Sequence, residues 1–260
     1  MESRDGTPIG YARLGSGPPL VIVHGAWASG DSYLPLAEVL GEDFSCLVMD
    51  RRGRGNSGDG PKYDLQRELA DIQAVLDVAG RGAGLLGHSG GAIYALEVAL
   101  HADISRLIVY EPPLRQHLDA DTHDFLDRFR SAVENGRNEE ATAMFFREMA
   151  GMDEGALGAF RSTPAWQERV PRAWTVVREM QAMLDAALRI ERYSSVPVPT
   201  LVLVGTETPD QDVAAMHQLH RVIPDSRIAE LQGQAHLAHL TAPRLLASEV
   251  AGFLANTADT

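Results

Sequence analysis

Leu85-Leu86-Gly87-His88-Ser89-Gly90-Gly91-Ala92, near the middle of the chain, decides how the residues on either side are read. An apolar run ends in Gly-His-Ser-Gly-Gly, and Ala92, Ile93, Leu96, Ala99 and Leu100 follow at helical spacing. Gly-x-Ser-x-Gly between a buried strand and a helix marks a sharp turn. Its serine is forced into a strained backbone and lifts its hydroxyl off the end of the sheet. Gly87 and Gly91 stand two residues to either side, where a Cβ would crowd the turn. The helix that begins here aims its free N–H groups and positive dipole end at any anion formed beside Ser89. The plainer alternative is a glycine-rich turn with an incidental serine. The flanking strand and helix favour a nucleophile.

Upstream, Asp5-Gly6 signals a tight turn, so the chain is expected to open with a hairpin ending near Leu14. Leu20-Val21-Ile22-Val23 reads as a strand buried on both faces and ends at His24-Gly25-Ala26-Trp27. Asp31 or Ser32 is placed to cap a short helix through Leu40. A second buried strand, Phe44 to Met49, runs into Asp50-Arg51-Arg52-Gly53-Arg54-Gly55-Asn56-Ser57-Gly58. Three arginines and three glycines there suggest a phosphate cradle, but no Gly-Lys-Ser/Thr ending follows and the spacing matches no dinucleotide fingerprint. Arginines paired with nearby carboxylates are the expectation instead. Asp64 caps a predicted helix from about Leu65 to Val78, with Leu69, Ile72, Val75 and Leu76 on one face.

Downstream, Leu107-Ile108-Val109-Tyr110 is a further strand, ending at Glu111-Pro112-Pro113. From there to about Ser195 no strand-like run occurs, and helices are broken by Gly136, Gly151, Pro164 and Pro171. This segment holds five of the eight methionines (Met144, Met149, Met152, Met180, Met183) and two of the three tryptophans, Trp166 and Trp174. Some of these bury the segment, and others are expected to line an adaptable apolar pocket. Strand pattern resumes at Pro199 to Gly205, followed by a helix near Asp212 to Val222 and a last strand, Arg227 to Leu231. Gly233-Gln234-Ala235-His236 precedes a closing helix, about Pro243 to Leu254. Strands alternating with helices give a mostly parallel sheet covered on both faces.

The net charge of -13 argues against nucleic acid and anionic membrane surfaces as partners. Cys46 is the single cysteine and lies in an apolar run, which suits a buried small hydrophobe better than a reactive thiol. No apolar stretch serves as a signal peptide or a membrane span, so a cytoplasmic location is expected.

Taken together, these motifs resemble the α/β-hydrolase fold: His24-Gly25 after the first buried strand, Asp50-x-Arg52-Gly53-x-Gly55-x-Ser57, Gly87-x-Ser89-x-Gly91, and Gly233-x-x-His236 ahead of the last helix. The resemblance covers nearly the whole chain. It implies a doubly wound core of residues 1–111 and 196–260 with a helical cap inserted at 112–195. It also implies that Ser89 is the nucleophile, that His236 is the general base, and that the N–H groups of Ala26 and Gly90 form the oxyanion hole. Physical chemistry asks for the same parts, because a serine hydroxyl at neutral pH needs a base and imidazole titrates in the right range. His239 is the rival base and is assigned to the pocket, with Trp27, His88, Trp166 and Trp174 as further candidate substrate contacts. Within the family's pattern His24 and His88 are usually structural.

One position departs from that pattern. Most family members carry an aspartate three residues after the glycine that ends the strand before last, and here that position is Thr208. Threonine supplies no charge to steady an imidazolium. Glu111 is the favoured acid, since some family members, lactonases that open zearalenone among them, put a glutamate at that strand end. Asp210 and Glu207 are the alternatives. The expected activity is a cofactor-free, metal-free serine hydrolase acting on a small, largely apolar ester or lactone as monomer or homodimer. The chain has no His-Glu-x-x-His helix, paired Cys-x-x-Cys or dinucleotide glycine motif. Carbon–carbon bond hydrolysis, perhydrolase activity and a ligand receptor without turnover are the other readings.

Overall fold

The computed structural model describes residues 1–114 and 120–255. Its described residues fall into two compact units, Met1–Arg115 with Leu188–Thr260 and Gln116–Ala187. The first is built on a seven-stranded sheet. In chain order it holds β1 (Tyr11–Leu14), β2 (Pro19–Val23), α1 (Leu34–Leu40), β3 (Ser45–Met49), α2 (Leu65–Ala79), β4 (Gly84–His88), α3 (Gly90–Ala99) and β5 (Arg106–Tyr110). The second unit contributes α4 (Ala120–Glu134), α5 (Asn138–Met144), α6 (Glu154–Arg161), α7 (Pro164–Arg169) and α8 (Ala173–Asp185). The first unit then resumes with β6 (Thr200–Gly205), α9 (Asp210–Val222), β7 (Ser226–Leu231), α10 (Ala238–Thr241) and α11 (Pro243–Ala255). Among the described residues no helix is long and apolar enough to cross a membrane.

The sheet order is β1-β3-β2-β4-β5-β6-β7, with β1 antiparallel at one edge and the other strands parallel. Every residue of β3, β4 and β6 is buried, as expected of continuous apolar strands covered on both faces. The chain winds from β2 outward to β3, then crosses to β4 on the other side of β2. Such a reversal opens a crevice at the carboxyl ends of the two diverging strands. The loops after β2 and β4 meet there. Cys46 is buried in the core, and burial pushes its thiol up to about 12.

Two local expectations are corrected. The opening turn is closed by a single bridge between Glu2 and Pro8, and Tyr11–Leu14 pairs instead with β3, whose outer edge would otherwise leave its backbone groups unpaired. Asp31 and Ser32 do not cap a helix. They lie inside a 3₁₀ turn, Gly30–Tyr33, whose first N–H is held by Asp50 Oδ1 at 2.8 Å. The α-helix starts at Leu34, with a proline in its first turn. Asp64, by contrast, caps α2 by accepting from the Arg67 N–H at 3.0 Å.

The helical unit has its own core. Ala143, Leu157 and Trp166 are buried together with Phe146, Met152, Phe160 and Val170 packed against them. Its helices span much of the 112–195 segment, whereas the 3₁₀ turn Ile190–Ser195 belongs to the sheet unit.

Candidate active site

Ser89 occupies the turn between β4 and α3 at φ 53° and ψ -128°. Glycines on both sides allow it. A Cβ on Gly91 would lie 2.5 Å from the carbonyl oxygens of Val23 and His24, so only glycine lets α3 start against the end of β2. The Ser89 N–H donates to the Tyr110 carbonyl at 2.9 Å, which ties the turn to β5. Among the described residues four non-glycine residues have positive φ: Trp27, Ser89, Glu111 and Ala187. The first three follow β2, β4 and β5 at one edge of the sheet. Each such conformation costs about 1–3 kcal/mol, and strain of this kind gathers where a side chain must be aimed.

Glu111 is one residue past the register pair His88–Tyr110, so it leaves β5 beside Ser89. Its carboxylate is 5% exposed and fully engaged. Oε2 lies 2.7 Å from His236 Nδ1, while Oε1 accepts from the Thr208 hydroxyl at 2.6 Å and the Gly205 N–H at 2.8 Å. Burial raises its pKa, but the bond and charge of His236 and the donors Thr208 and Gly205 outweigh that, leaving Glu111 below the usual carboxylate range. Thr208, the departure from the family pattern, thus donates its hydroxyl to the Glu111 carboxylate. Glu207 and Asp210 are both exposed.

His236 sits on the loop after β7, and its side chain is 47% exposed. Tyr110 fastens this loop, its hydroxyl donating to the Ala235 carbonyl and accepting from the Ala238 N–H at 3.3 Å. The His88 ring lies 4.5 Å from that of His236, which sets the imidazole next to the serine turn. Neither Ser89 Oγ nor His236 Nε2 hydrogen-bonds to another described residue. Hydrogen bonds of this kind tighten when substrate arrives.

The other candidates separate by burial. His239 is 3% exposed and stacked on Tyr33 with centroids 4.4 Å apart, whereas His236 faces outward. His88 is buried, and burial together with the neighbouring imidazoles His236, His239 and His24 holds it well below the usual imidazole range. Trp27 is buried in the loop after β2. Trp166 lies in the helical unit's own core, and Trp174 is 43% exposed with the Arg178 guanidinium over its ring. Ala26 follows Gly25 in the loop after β2, and Gly90 opens α3. Tyr33, whose hydroxyl bonds His88 Nδ1 and accepts from the Gly25 N–H at 3.4 Å, carried no signal in the sequence. Among the described residues no group of three or more His, Cys, Asp or Glu is arranged to hold a metal ion.

A mostly parallel sheet with a strained serine turn, a histidine loop and a buried carboxylate at the ends of its strands defines a class, and similarity agrees with it. The chain belongs to the α/β-hydrolase family, whose profile matches residues 20–249. It is 34% identical to the crystal structure of an α/β-hydrolase from Sphaerobacter thermophilus, covering 97% of this chain and 98% of that one with a TM-score of 0.88. It is 28% identical to N-formylmaleamate deformylase of Pseudomonas putida over 90% of this chain and 88% of the relative. An esterase from Rhodococcus sp. is 26% identical, with a TM-score of 0.72 over 99% of this chain and 98% of that one.

Proposed function

We propose that this chain is a serine hydrolase that cleaves a carboxylic ester or lactone of a small, largely apolar substrate. The observation that carries the reading is a serine on a strained turn, next in the chain to a His88 ring 4.5 Å from that of His236, whose Nδ1 meets a buried carboxylate at 2.7 Å. Ser89 Oγ attacks the carbonyl carbon while His236 Nε2 takes its proton. The carbonyl oxygen becomes an anion that accepts from the Ala26 and Gly90 N–H groups, each worth about 3 kcal/mol of barrier. The intermediate collapses, the alcohol leaves with the proton from His236, and the acyl group stays on Ser89 as an ester. Water then attacks with His236 again as base, releasing the acid and restoring the serine. Glu111 stays ionised through both halves and balances the imidazolium. No cofactor enters these steps. Leu237 and Leu240, 47% and 44% exposed on the segment that carries His236, support an apolar substrate.

The Rhodococcus esterase supports the ester reading. The Pseudomonas deformylase favours a second one, an N-formyl amide, in which the same steps expel nitrogen in place of oxygen. A carbon–carbon hydrolase or a perhydrolase would use the same residues, and a receptor would keep them without turnover. Turnover of p-nitrophenyl acetate and butyrate, with an N-formyl amide alongside, separates these. Wild-type protein should cleave the esters before and after dialysis against EDTA, and Ser89→Ala should abolish cleavage. Activity that persists in Ser89→Ala, or that EDTA removes and zinc restores, would overturn the mechanism.

A further inference from the structure

The end of β5 reaches both the nucleophile and the base. Tyr110, its last residue, pairs in register with His88, and its carbonyl accepts from the Ser89 N–H at 2.9 Å. Its ring is fully buried and stacks on that of His88 with centroids 4.8 Å apart. From there the hydroxyl extends to the loop after β7, where it donates to the Ala235 carbonyl and accepts from the Ala238 N–H at 3.3 Å. Burial, with the Glu111 carboxylate beside it, pushes this phenol above its usual range, so the hydroxyl keeps the proton it donates.

The start of the base loop has anchors of its own. The Gly233 N–H donates to Thr206 Oγ1 at 2.9 Å, and the Gln234 carbonyl accepts from the Glu207 N–H at 2.8 Å. Beyond them Ala235, His236 and Leu237 are exposed, and the two bonds to the Tyr110 hydroxyl bracket the imidazole on either side along the chain. Without that hydroxyl, water can bond the exposed Ala235 carbonyl, so the loop stays folded but its histidine is less firmly aimed. We infer that Tyr110 is a positioning residue for the general base. One buried side chain, fixed to the Ser89 turn at its backbone and to both flanks of His236 at its hydroxyl, sets how Nε2 stands toward Ser89 Oγ. The inference rests on the serine-hydrolase reading and adds to it the residue that registers base against nucleophile.

Tyr110→Phe keeps the buried ring and removes the hydroxyl, whereas Tyr110→4-aminophenylalanine returns a donor at the same place. Both are compared with wild type for p-nitrophenyl butyrate turnover and melting temperature. Tyr110→Phe should lower kcat about 10²-fold with KM within about twofold, and Tyr110→4-aminophenylalanine should recover to within about fivefold of wild type. The same Tyr110→Phe change is then made in a His236→Ala background. There it should alter the residual turnover by less than about twofold, because no imidazole is left to aim. A kcat within about threefold of wild type in Tyr110→Phe, no recovery with the amine, or an equal loss in both backgrounds would overturn the assignment. A crystal structure of the wild-type protein decides the matter even if Tyr110→Phe does not fold. A Tyr110 hydroxyl more than about 3.5 Å from both the Ala235 oxygen and the Ala238 nitrogen contradicts the proposal. Wild-type protein inert toward esters would sink the serine-hydrolase reading and this inference together. An active wild type matched by Tyr110→Phe would sink this inference alone.

Discussion

Two glycine-rich stretches leave the sheet at the same ends of their strands, the loop after β3 (residues 50–58) and the turn at Ser89 between β4 and α3, and they use their polar groups in opposite ways. The first spends them on the fold. Arg51 binds Glu68, Arg52 grips Asp71 through two bonds of 2.6 and 2.7 Å, and Asp50 accepts from the Gly30 and Asn56 N–H groups at 2.8 Å each. The second keeps its hydroxyl unspent among the described residues, where no bond from the Ser89 side chain offsets the strain at its backbone. Glycine content alone does not separate them, since both stretches are rich in it. What separates them is whether neighbouring elements supply partners: α2 brings carboxylates to the arginines, whereas the loop after β2 runs against Ser89, where a Cβ on Gly25 would lie 2.8 Å from its Cβ.

That contrast makes the consequences of mutation diverge. Arg52→Met leaves Asp71 as a buried charge without its partner and should cost about 3–5 kcal/mol of stability in urea unfolding, with kcat per folded molecule within about twofold of wild type. A large kcat loss at unchanged stability would mean that the arginine loop takes part in the chemistry. A smaller effect concerns pH. Glu111 is held below its ordinary value of 4.5, so its ionised form contributes stability that is present above that value and lost as the pH falls through the folded one. The difference in unfolding free energy between wild type and Glu111→Gln should therefore shrink between pH 7 and pH 3. A difference that stays flat or grows would show that the carboxylate gains nothing from His236, Thr208 and Gly205.

Much of this was legible in the residues. Continuous apolar runs revealed the buried parallel strands because such strands need no polar face, and Gly87, Ser89 and Gly91 marked the turn because only that pattern fits it. The arginines of residues 51–54 were legible as paired, though not their partners, since Glu68 and Asp71 are fixed only by how α2 packs. The strand end at Glu111 could be located, yet the bonds from Thr208 and Gly205 depend on β6 lying beside β5, which is sheet order rather than sequence order. The bonds of Tyr33 to His88 and Gly25 were invisible for the same reason. Trp166, readable equally as packing or pocket, lies in the aromatic core of the helical unit.

The central claim is that Ser89 and His236 work with the acid at the end of β5, Glu111, rather than with Glu207 or Asp210 after β6. Turnover of p-nitrophenyl butyrate by Glu111→Gln and Asp210→Asn, each verified as folded by its melting temperature, tests it most directly. Glutamine cannot balance an imidazolium, and its amide would favour the wrong imidazole tautomer. Glu111→Gln should therefore lose about 10³–10⁴-fold in kcat while Asp210→Asn loses less than about tenfold. A crippled Asp210→Asn beside an active Glu111→Gln would contradict the account.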